Sequence, residues 1–384
     1  MRLFRLPCLI LGSILAFSAC AQFRRPVQGG DLVAAGAHTG VSPGGLDRVA
    51  IYRLQLSTGA LTALSGSPFD ISGCTVRAVT TAGRFVLTVC EGATVGSVPS
   101  RLVAWEIGVN GAAISEVDGK DLFVPPGIGV DTSLSASGES GLVIVGGARE
   151  FVFRLNTSSG ALTRLAENTG RTTTRLVPPS IGDGGSLFAS IGPNAGSTTL
   201  YKLWVTDAFD PNPVLSLTAG GAFGNLQVDF SADAQHMLHY KLATFPAGIE
   251  VTSYRYCSNG CTFQAVSTGT FTGTTNVNFN TTPLFTSPLD HRVSVTGTNP
   301  CFYRLDEEAG TLTQANCYAV GELRAISSDG RWLITQNTSA ADLALRTYEI
   351  LSSLTEINPT PFASVSAPFN GPFFSQPGYY PTSK

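Results

Sequence analysis

Glu150-Phe-Val-Phe-Arg-Leu155, Asn156-Thr-Ser-Ser-Gly160 and Ala161-Leu-Thr-Arg-Leu165 follow one another without a break and read as strand, turn and strand. β-branched and aromatic residues fill the two outer pieces, and Asn, Ser and Gly fill the middle. Gly141-Leu-Val-Ile-Val-Gly146 precedes them as another short apolar strand, and Thr173-Thr-Arg-Leu-Val177 opens the next unit after a loop. Within the hairpin an aromatic residue, Phe153, stands directly before a charged one, Arg154. The same pairing recurs as Tyr52-Arg53, Trp105-Glu106, Tyr201-Lys202, Tyr254-Arg255, Tyr303-Arg304 and Tyr348-Glu349, at steps of 53, 48, 48, 53, 49 and 45 residues along the chain. A repeat of about fifty residues that carries strands predicts an all-β, seven-bladed β-propeller with one blade per repeat.

Gly59, Gly111, Gly160, Gly260 and Gly310 take matching turn positions in five repeats, where a residue with positive φ is needed. Repeats four and seven lack that glycine, and their turns fall around Asp210-Pro211-Asn212-Pro213 and Ser352-Ser353. Successive strand residues face opposite sides. The aromatic of each pair is therefore expected to fill the wedge between blades, while the adjacent long charged chain reaches the outer rim. Residues 31–37 form a strand with no innermost strand before it, and Phe362 to Phe374 is an extra apolar segment after the seventh repeat. The C-terminal segment is expected to supply the missing inner strand beside residues 31–37 and close the ring, removing free edges.

The N-terminus reads as an export signal over residues 1–19, with Arg2 and Arg5 ahead of an apolar stretch from Leu6 to Ala19. It ends in Phe17-Ser18-Ala19-Cys20, which resembles the lipobox of bacterial lipoproteins, although Phe17 stands where that motif prefers Leu. The resemblance implies a lipid-modified Cys20, a tether over 20–30 and a propeller domain over 31–384. Cleavage after Ala21, within the small-x-small run Ala19-Cys20-Ala21, is the alternative and would release a soluble secreted protein. Either way the compartment is the bacterial cell envelope or beyond, with the membrane reached through the N-terminal lipid alone.

Charged residues make up 13% of the chain, about half the usual share, and the net charge is −3. No basic run follows Arg24-Arg25, which argues against a nucleic-acid partner. With Cys8 in the signal and Cys20 at the lipid site, six cysteines remain for an oxidising compartment. Cys74 and Cys90 are centred on the Ala82-Gly83 turn, Cys257 and Cys261 on Asn259, and Cys301 and Cys317 on Ala309. Symmetry about a hairpin puts each pair on facing strands, so three bridges are expected within blades. A zinc half-site at 257–261 is the rival reading, and no second half with suitable spacing accompanies it.

The sequence contains no nucleophile elbow, no zinc-protease helix motif and no phosphate or dinucleotide loop, so neither a cofactor nor a metal is expected. His236 and His239 fall three apart in one strand, on opposite faces, which suits structural roles better than shared metal ligation. Arg77, Arg175 and Arg324, with Glu322 beside the last, lie on the innermost strands. Buried arginines need partners. These three either pair with carboxylates between blades or face an anionic ligand in the central channel.

Ile51-Tyr-Arg-Leu-Gln-Leu-Ser-Thr-Gly-Ala-Leu-Thr-Ala-Leu-Ser-Gly-Ser-Pro-Phe69 resembles the repeat of the lactonase family of seven-bladed propellers, which includes bacterial 6-phosphogluconolactonases and muconate-cycloisomerase-like propellers. The repeated Thr-Gly-Ala-Leu-Thr turn extends the resemblance over most of the mature chain. In those enzymes the inner strand often opens with Pro-Arg-His. The corresponding stretches here read Cys74-Thr-Val-Arg-Ala-Val and Gly321-Glu-Leu-Arg-Ala-Ile, without histidine. The resemblance therefore implies the architecture and transfers no catalytic residue. His38, in the N-terminal strand, is the histidine placed to reach the channel as a substitute. The expectation is a monomeric, envelope-anchored, non-enzymatic propeller that presents a binding surface to a protein or glycan. The alternative is a lactonase-like hydrolase with its site at the channel mouth.

Overall fold

The structure is a computed structural model that describes residues 31–37, 48–71, 75–91, 100–108, 111–122, 133–136, 141–146, 150–168, 176–177, 180–181, 185–191, 197–204, 215–218, 227–230, 236–244, 247–255, 264–272, 285–286, 292–295, 301–306, 308–318, 320–327, 331–336, 345–350, 363–365 and 378–379. Its regular elements are strands, arranged in seven small antiparallel sheets. The second sheet shows the pattern, with Thr75–Ala82, Phe85–Glu91, Ser100–Ile107 and Ile114–Leu122 pairing in chain order. The third (Ser133–Ala136 to Leu162–Asn168), fifth (Gln227–Phe230 to Gln264–Thr272), sixth (Phe285–Thr286 to Thr311–Cys317) and seventh (Glu322–Ile326 to Ala363–Val365) repeat it. The fourth, from Leu176–Val177 to Leu215–Thr218, adds the short strand Ser180–Ile181. Every aromatic-plus-charge pair lies in the third strand of its sheet, one pair per sheet.

The first sheet is assembled from both ends of the described chain. Its order is Ala60–Ala63, Arg48–Gln55, Asp31–Ala37 and Gly378–Tyr379, with Asp31 opposite Tyr379 and Leu32 opposite Gly378. Of the apolar segment Phe362 to Phe374 the described part, Ala363–Val365, pairs with Leu345–Glu349 as the outer strand of the seventh sheet. The two-residue strand further on takes the position beside residues 31–37.

Alternation along each strand feeds two cores, one on each face. Phe85, Leu87 and Val89 pack with Val143, Phe151 and Phe153 of the third sheet, whereas Val86 and Val103 pack with Val49, Ile51 and Leu64 of the first. That two-sided burial explains why the strands read as nearly continuous apolar runs. Burial also pushes the Tyr52 phenol up to about 12, as expected for an aromatic wedged inside. Inner strands of successive sheets touch one another, as Asp31–Ala37 does with Thr75–Ala82, and Thr75–Ala82 with Ser133–Ala136.

The turn glycines explain how one sheet meets the next. Gly59, Gly111, Gly160 and Gly310 have φ of 69°, 65°, 77° and 69°, in the left-handed region that glycine enters without penalty. Gly260 lies outside the described residues. In three of these turns the glycine N–H donates to the carbonyl four residues back: Gly59 to Gln55, Gly160 to Asn156 and Gly310 to Asp306. A β-carbon on Gly160 would stand 2.7 Å from Phe85 Cε1 and 3.0 Å from Val117 Cγ1, both on the preceding sheet. One on Gly310 would stand 2.9 Å from Val266 Cγ1 and 3.0 Å from His236 Nε2, and one on Gly59 would collide with the Trp332 ring. Each of these turns presses onto the sheet before it.

Gly160→Ala is expected to combine two costs, about 1–2 kcal/mol for the left-handed backbone and about 1–3 kcal/mol for overpacking. Gly83→Ala serves as the control, since Gly83 also has positive φ (60°) but has nothing within 4 Å of an added β-carbon. Urea unfolding should show Gly160→Ala the more destabilised of the two. Equal losses would mean that the close seat contributes nothing.

Candidate functional site

Two side-chain sets frame the junctions between sheets among the described residues. The first residue of a sheet's second strand forms the floor: Phe85 in the second sheet, His236 in the fifth and Trp332 in the seventh. The other part is a bulge in the outer strand. The register shifts where Trp105, Phe153, Tyr254 and Tyr303 meet their outer strands, which leaves Val117, Leu165, Val266 and Ala315 as the extra residues. Each lies twelve residues after its aromatic. Val117 and Val266 cover the next turn glycine, and Leu64, twelve after Tyr52, lies 3.1 Å from where a β-carbon on Gly111 would be. Sequence reading missed this position, although its fixed offset from the aromatic was visible. A bulge re-aims a side chain, and here it directs an apolar one onto the neighbouring turn.

The charged member of the aromatic pair serves the same junction. Glu106 is 3.1 Å from Arg84, whose Nη2 donates to Ser158 O (2.5 Å) in the next turn, and Arg84 also lies over the Phe85 ring. In the fifth sheet the charge of the pair, Arg255, itself donates to Glu308 O. In the seventh, Glu349 holds Arg331 at 2.7 Å, and Arg331 stacks on Trp332. Trp332 Nε1 donates to Leu56 O (2.7 Å) and Thr347 Oγ1 to Gly59 O (2.8 Å), which joins the seventh sheet to the first. Between the second and third sheets, Leu162 N–H donates to Asp118 Oδ2 at 2.7 Å. Lys120 Nζ and Gly119 N–H take Asp118 Oδ1. Partial burial opposes charge on Asp118, but these donors outweigh it and hold the carboxyl below its usual range.

Of the inner-strand arginines, Arg77 and Arg324 are described along the backbone. Thr75–Ala82 pairs Val76 with Cys90 and Ala78 with Val89, leaving Arg77 as the extra residue. Glu322–Ile326 pairs Leu323 with Thr335 and Ala325 with Ile334, leaving Arg324 in the same place. Both arginines thus occupy equivalent bulges in the first strands of the second and seventh sheets, the sheets that contact the first. Arg175 and His38 lie outside the described residues, as does Cys20. His236 and His239 are both buried in the second strand of the fifth sheet, and the His239 ring stands edge-on to Tyr254 at 6.2 Å. Among the described residues no cluster of His, Cys, Asp and Glu is grouped to hold a metal ion.

Of the six cysteines, Cys301 and Cys317 lie directly opposite each other in paired strands. Opposed residues in an antiparallel pair have Cα atoms about 4.5 or 5.5 Å apart, inside the disulfide range. Cys90 is buried and disulfide-bonded. Cys74, Cys257 and Cys261 lie outside the described residues.

No family sequence model matches the chain, and neither does any curated protein sequence. Solved structures do match. A protein from Lactobacillus plantarum aligns with a TM-score of 0.64 at 14% identity, over 90% of this chain and 98% of that one. A 6-phosphogluconolactonase candidate from Bacteroides fragilis aligns with a TM-score of 0.65 at 13% identity, over 91% and 99%. Another from Bacteroides uniformis gives 0.60 and 13%, over 88% and 100%. The seven sheets are therefore those of a β-propeller with the lactonase-like fold, and identity at this level speaks for fold alone.

Asp118→Ala should cost about 1 kcal/mol at neutral pH, because the Leu162 N–H loses its charged acceptor. A carboxyl held low in the folded state contributes stability that is complete above its unfolded value of about 3.9 and is lost as pH falls through the folded value. The gap between wild type and Asp118→Ala in urea unfolding should therefore narrow on acidification. A gap that stays constant down to about pH 2 would show that the carboxylate charge plays no part.

Proposed function

We propose that this chain is a non-enzymatic, envelope-anchored propeller that presents a binding surface to a protein or glycan partner. The observation that carries the reading is the matched pair of bulges at Arg77 and Arg324. Two arginines at equivalent inner-strand bulges suit recognition of an anionic group, since guanidinium is permanently charged and offers a rigid fork of donors. Their sequence neighbours are Val76 and Ala78, and Leu323 and Ala325. None of these immediate neighbours can take or deliver a proton, so the chain sets no proton-transfer group directly next to either charge.

The finer architecture belongs to the same proposal. The seven blades close into one ring, supported by the Trp332 and Thr347 hydrogen bonds to the first sheet and by the pairing of Gly378–Tyr379 with Asp31–Leu32. Cys20 carries the lipid, and three bridges, Cys74–Cys90, Cys257–Cys261 and Cys301–Cys317, staple single blades. The opposed register of Cys301 and Cys317 supports the last of these.

The second reading is a lactone hydrolase at the channel mouth. It is favoured by the structural likeness to 6-phosphogluconolactonase candidates. Purified protein incubated with 6-phosphogluconolactone separates the two. Hydrolysis at the spontaneous rate is expected, together with capture of acidic glycans that the double variant Arg77→Ala/Arg324→Ala loses. Turnover well above the spontaneous rate, abolished by His38→Ala, would replace the binding module with the enzyme.

A further inference from the structure

A bulge keeps its place when the ladder is held on both sides of it; otherwise the extra residue can pass along the strand as the rows slip. In the seventh sheet the far side of Arg324 is held by the rows Ala325–Ile334 and Ile326–Leu333. Beyond them the Ser327 N–H donates to Trp332 O at 2.9 Å. The near side has a tie of its own. Thr335, opposite Leu323, is fully buried, and its hydroxyl donates to Val320 O at 2.9 Å, just ahead of the inner strand. Gly321, with φ of 91°, turns the chain between that carbonyl and Glu322.

In the second sheet the residue opposite the last paired position before the arginine is Cys90. It faces Val76 across the ladder, is buried and is disulfide-bonded. A bridged sulfur has no S–H, so across the 3.4 Å contact between Thr88 Oγ1 and Cys90 Sγ the hydroxyl is the donor. Thr88 in turn accepts from Trp105 Nε1 at 2.8 Å, which fixes the sulfur to the third strand. Cys74, the partner in the proposed bridge, stands two residues before Val76, as Val320 stands three before Leu323. We propose that Thr335 and Cys90 are positioning residues for anion recognition, Thr335 fixing the bulge that carries Arg324 and Cys90 the bulge that carries Arg77. This role rests on the binding reading above. A bulge fixed before the ligand arrives spares part of the ordering that binding would otherwise require. The two ties act separately, since they lie in different sheets and share no residue.

Hydrogen exchange and titration calorimetry on the full-length purified protein test this together, with a galacturonic acid oligomer as the anionic probe. Thr335→Val keeps the shape and removes the donor. It should speed exchange over Glu322–Ile326 and leave Thr75–Ala82 unchanged. Thr335→Ser should restore protection, and Thr335→Ala replaces the valine variant if that does not fold. Cys74→Ala/Cys90→Ala should do the reverse. Thr335→Val should weaken probe binding about three- to tenfold in the wild-type and Arg77→Ala backgrounds. In Arg324→Ala it should cause no further loss, since a positioning residue matters only through the group it places. The bridge variant should show the opposite pattern. Unchanged exchange in the targeted strand, or equal weakening in both arginine backgrounds, overturns the positioning role. A wild type that does not bind the probe, or an Arg77→Ala/Arg324→Ala variant that binds it equally well, overturns the binding reading itself and the positioning role with it.

Discussion

A glycine turn pressed against the preceding sheet is the contact on which the rest of this structure depends. Four-stranded sheets have two apolar faces and cannot bury them alone. Here each face finds its partner in the next sheet, and the turn after the third strand sets how closely the two approach. Any side chain at Gly59, Gly160 or Gly310 would strike the neighbouring floor residue. The left-handed turn is therefore required twice, once for its backbone angle and once for the missing β-carbon. Around that seat the remaining features fall into order. In the second sheet the aromatic Trp105 packs in the core shared with the first sheet, while Val117, twelve residues on, covers Gly160 of the third and Arg84, held by Glu106, ties down the Ser158 carbonyl. The repeat is conspicuous in the sequence because these groups serve the two junctions that a sheet makes with its neighbours.

Arg77 and Arg324 sit in bulges where the ladder skips a residue. Their matching positions support the anion-recognition reading proposed above. The fold itself is silent on chemistry, since propellers host many activities. Likeness at 13–14% identity to lactonase-type structures adds the architecture and stops there.

Much of this was legible in the residues, for identifiable reasons. The strand Glu150–Leu155 and the positive-φ glycines followed from periodicity and turn chemistry, which are local. The opposition of Cys301 and Cys317 followed from symmetry about a hairpin, also local. What stayed hidden is contact between repeats. Asp118 reaches Leu162 across 44 residues, and Trp332 reaches Leu56 across 276. No periodic pattern announces such partners. The outer-strand bulge left a trace in its offset, but Val117, Leu165, Val266 and Ala315 share only modest apolarity, so the eye passes over them. His236 was read as a structural histidine without its seat being seen, because its equivalence to Phe85 and Trp332 exists only in three dimensions. The segment from Phe362 was apolar enough for an inner strand, yet Ala363–Val365 completes the seventh sheet and leaves the place beside residues 31–37 to Gly378–Tyr379.

We propose that the seventh sheet seats the first in the way the second seats the third, so that the ring closes by side-chain contact as well as by strand pairing. The Trp332 indole N–H reports on that contact alone, since it donates to Leu56 O and is buried, while Trp105 donates within its own sheet to Thr88 Oγ1. Measuring exchange of the indole protons by NMR therefore tests the closure most directly. The Trp332 proton should exchange only with global unfolding, as slowly as the core amides. Exchange faster than that of the partly buried Trp105 proton would mean that the first and seventh sheets part readily, and would contradict a ring closed at this junction.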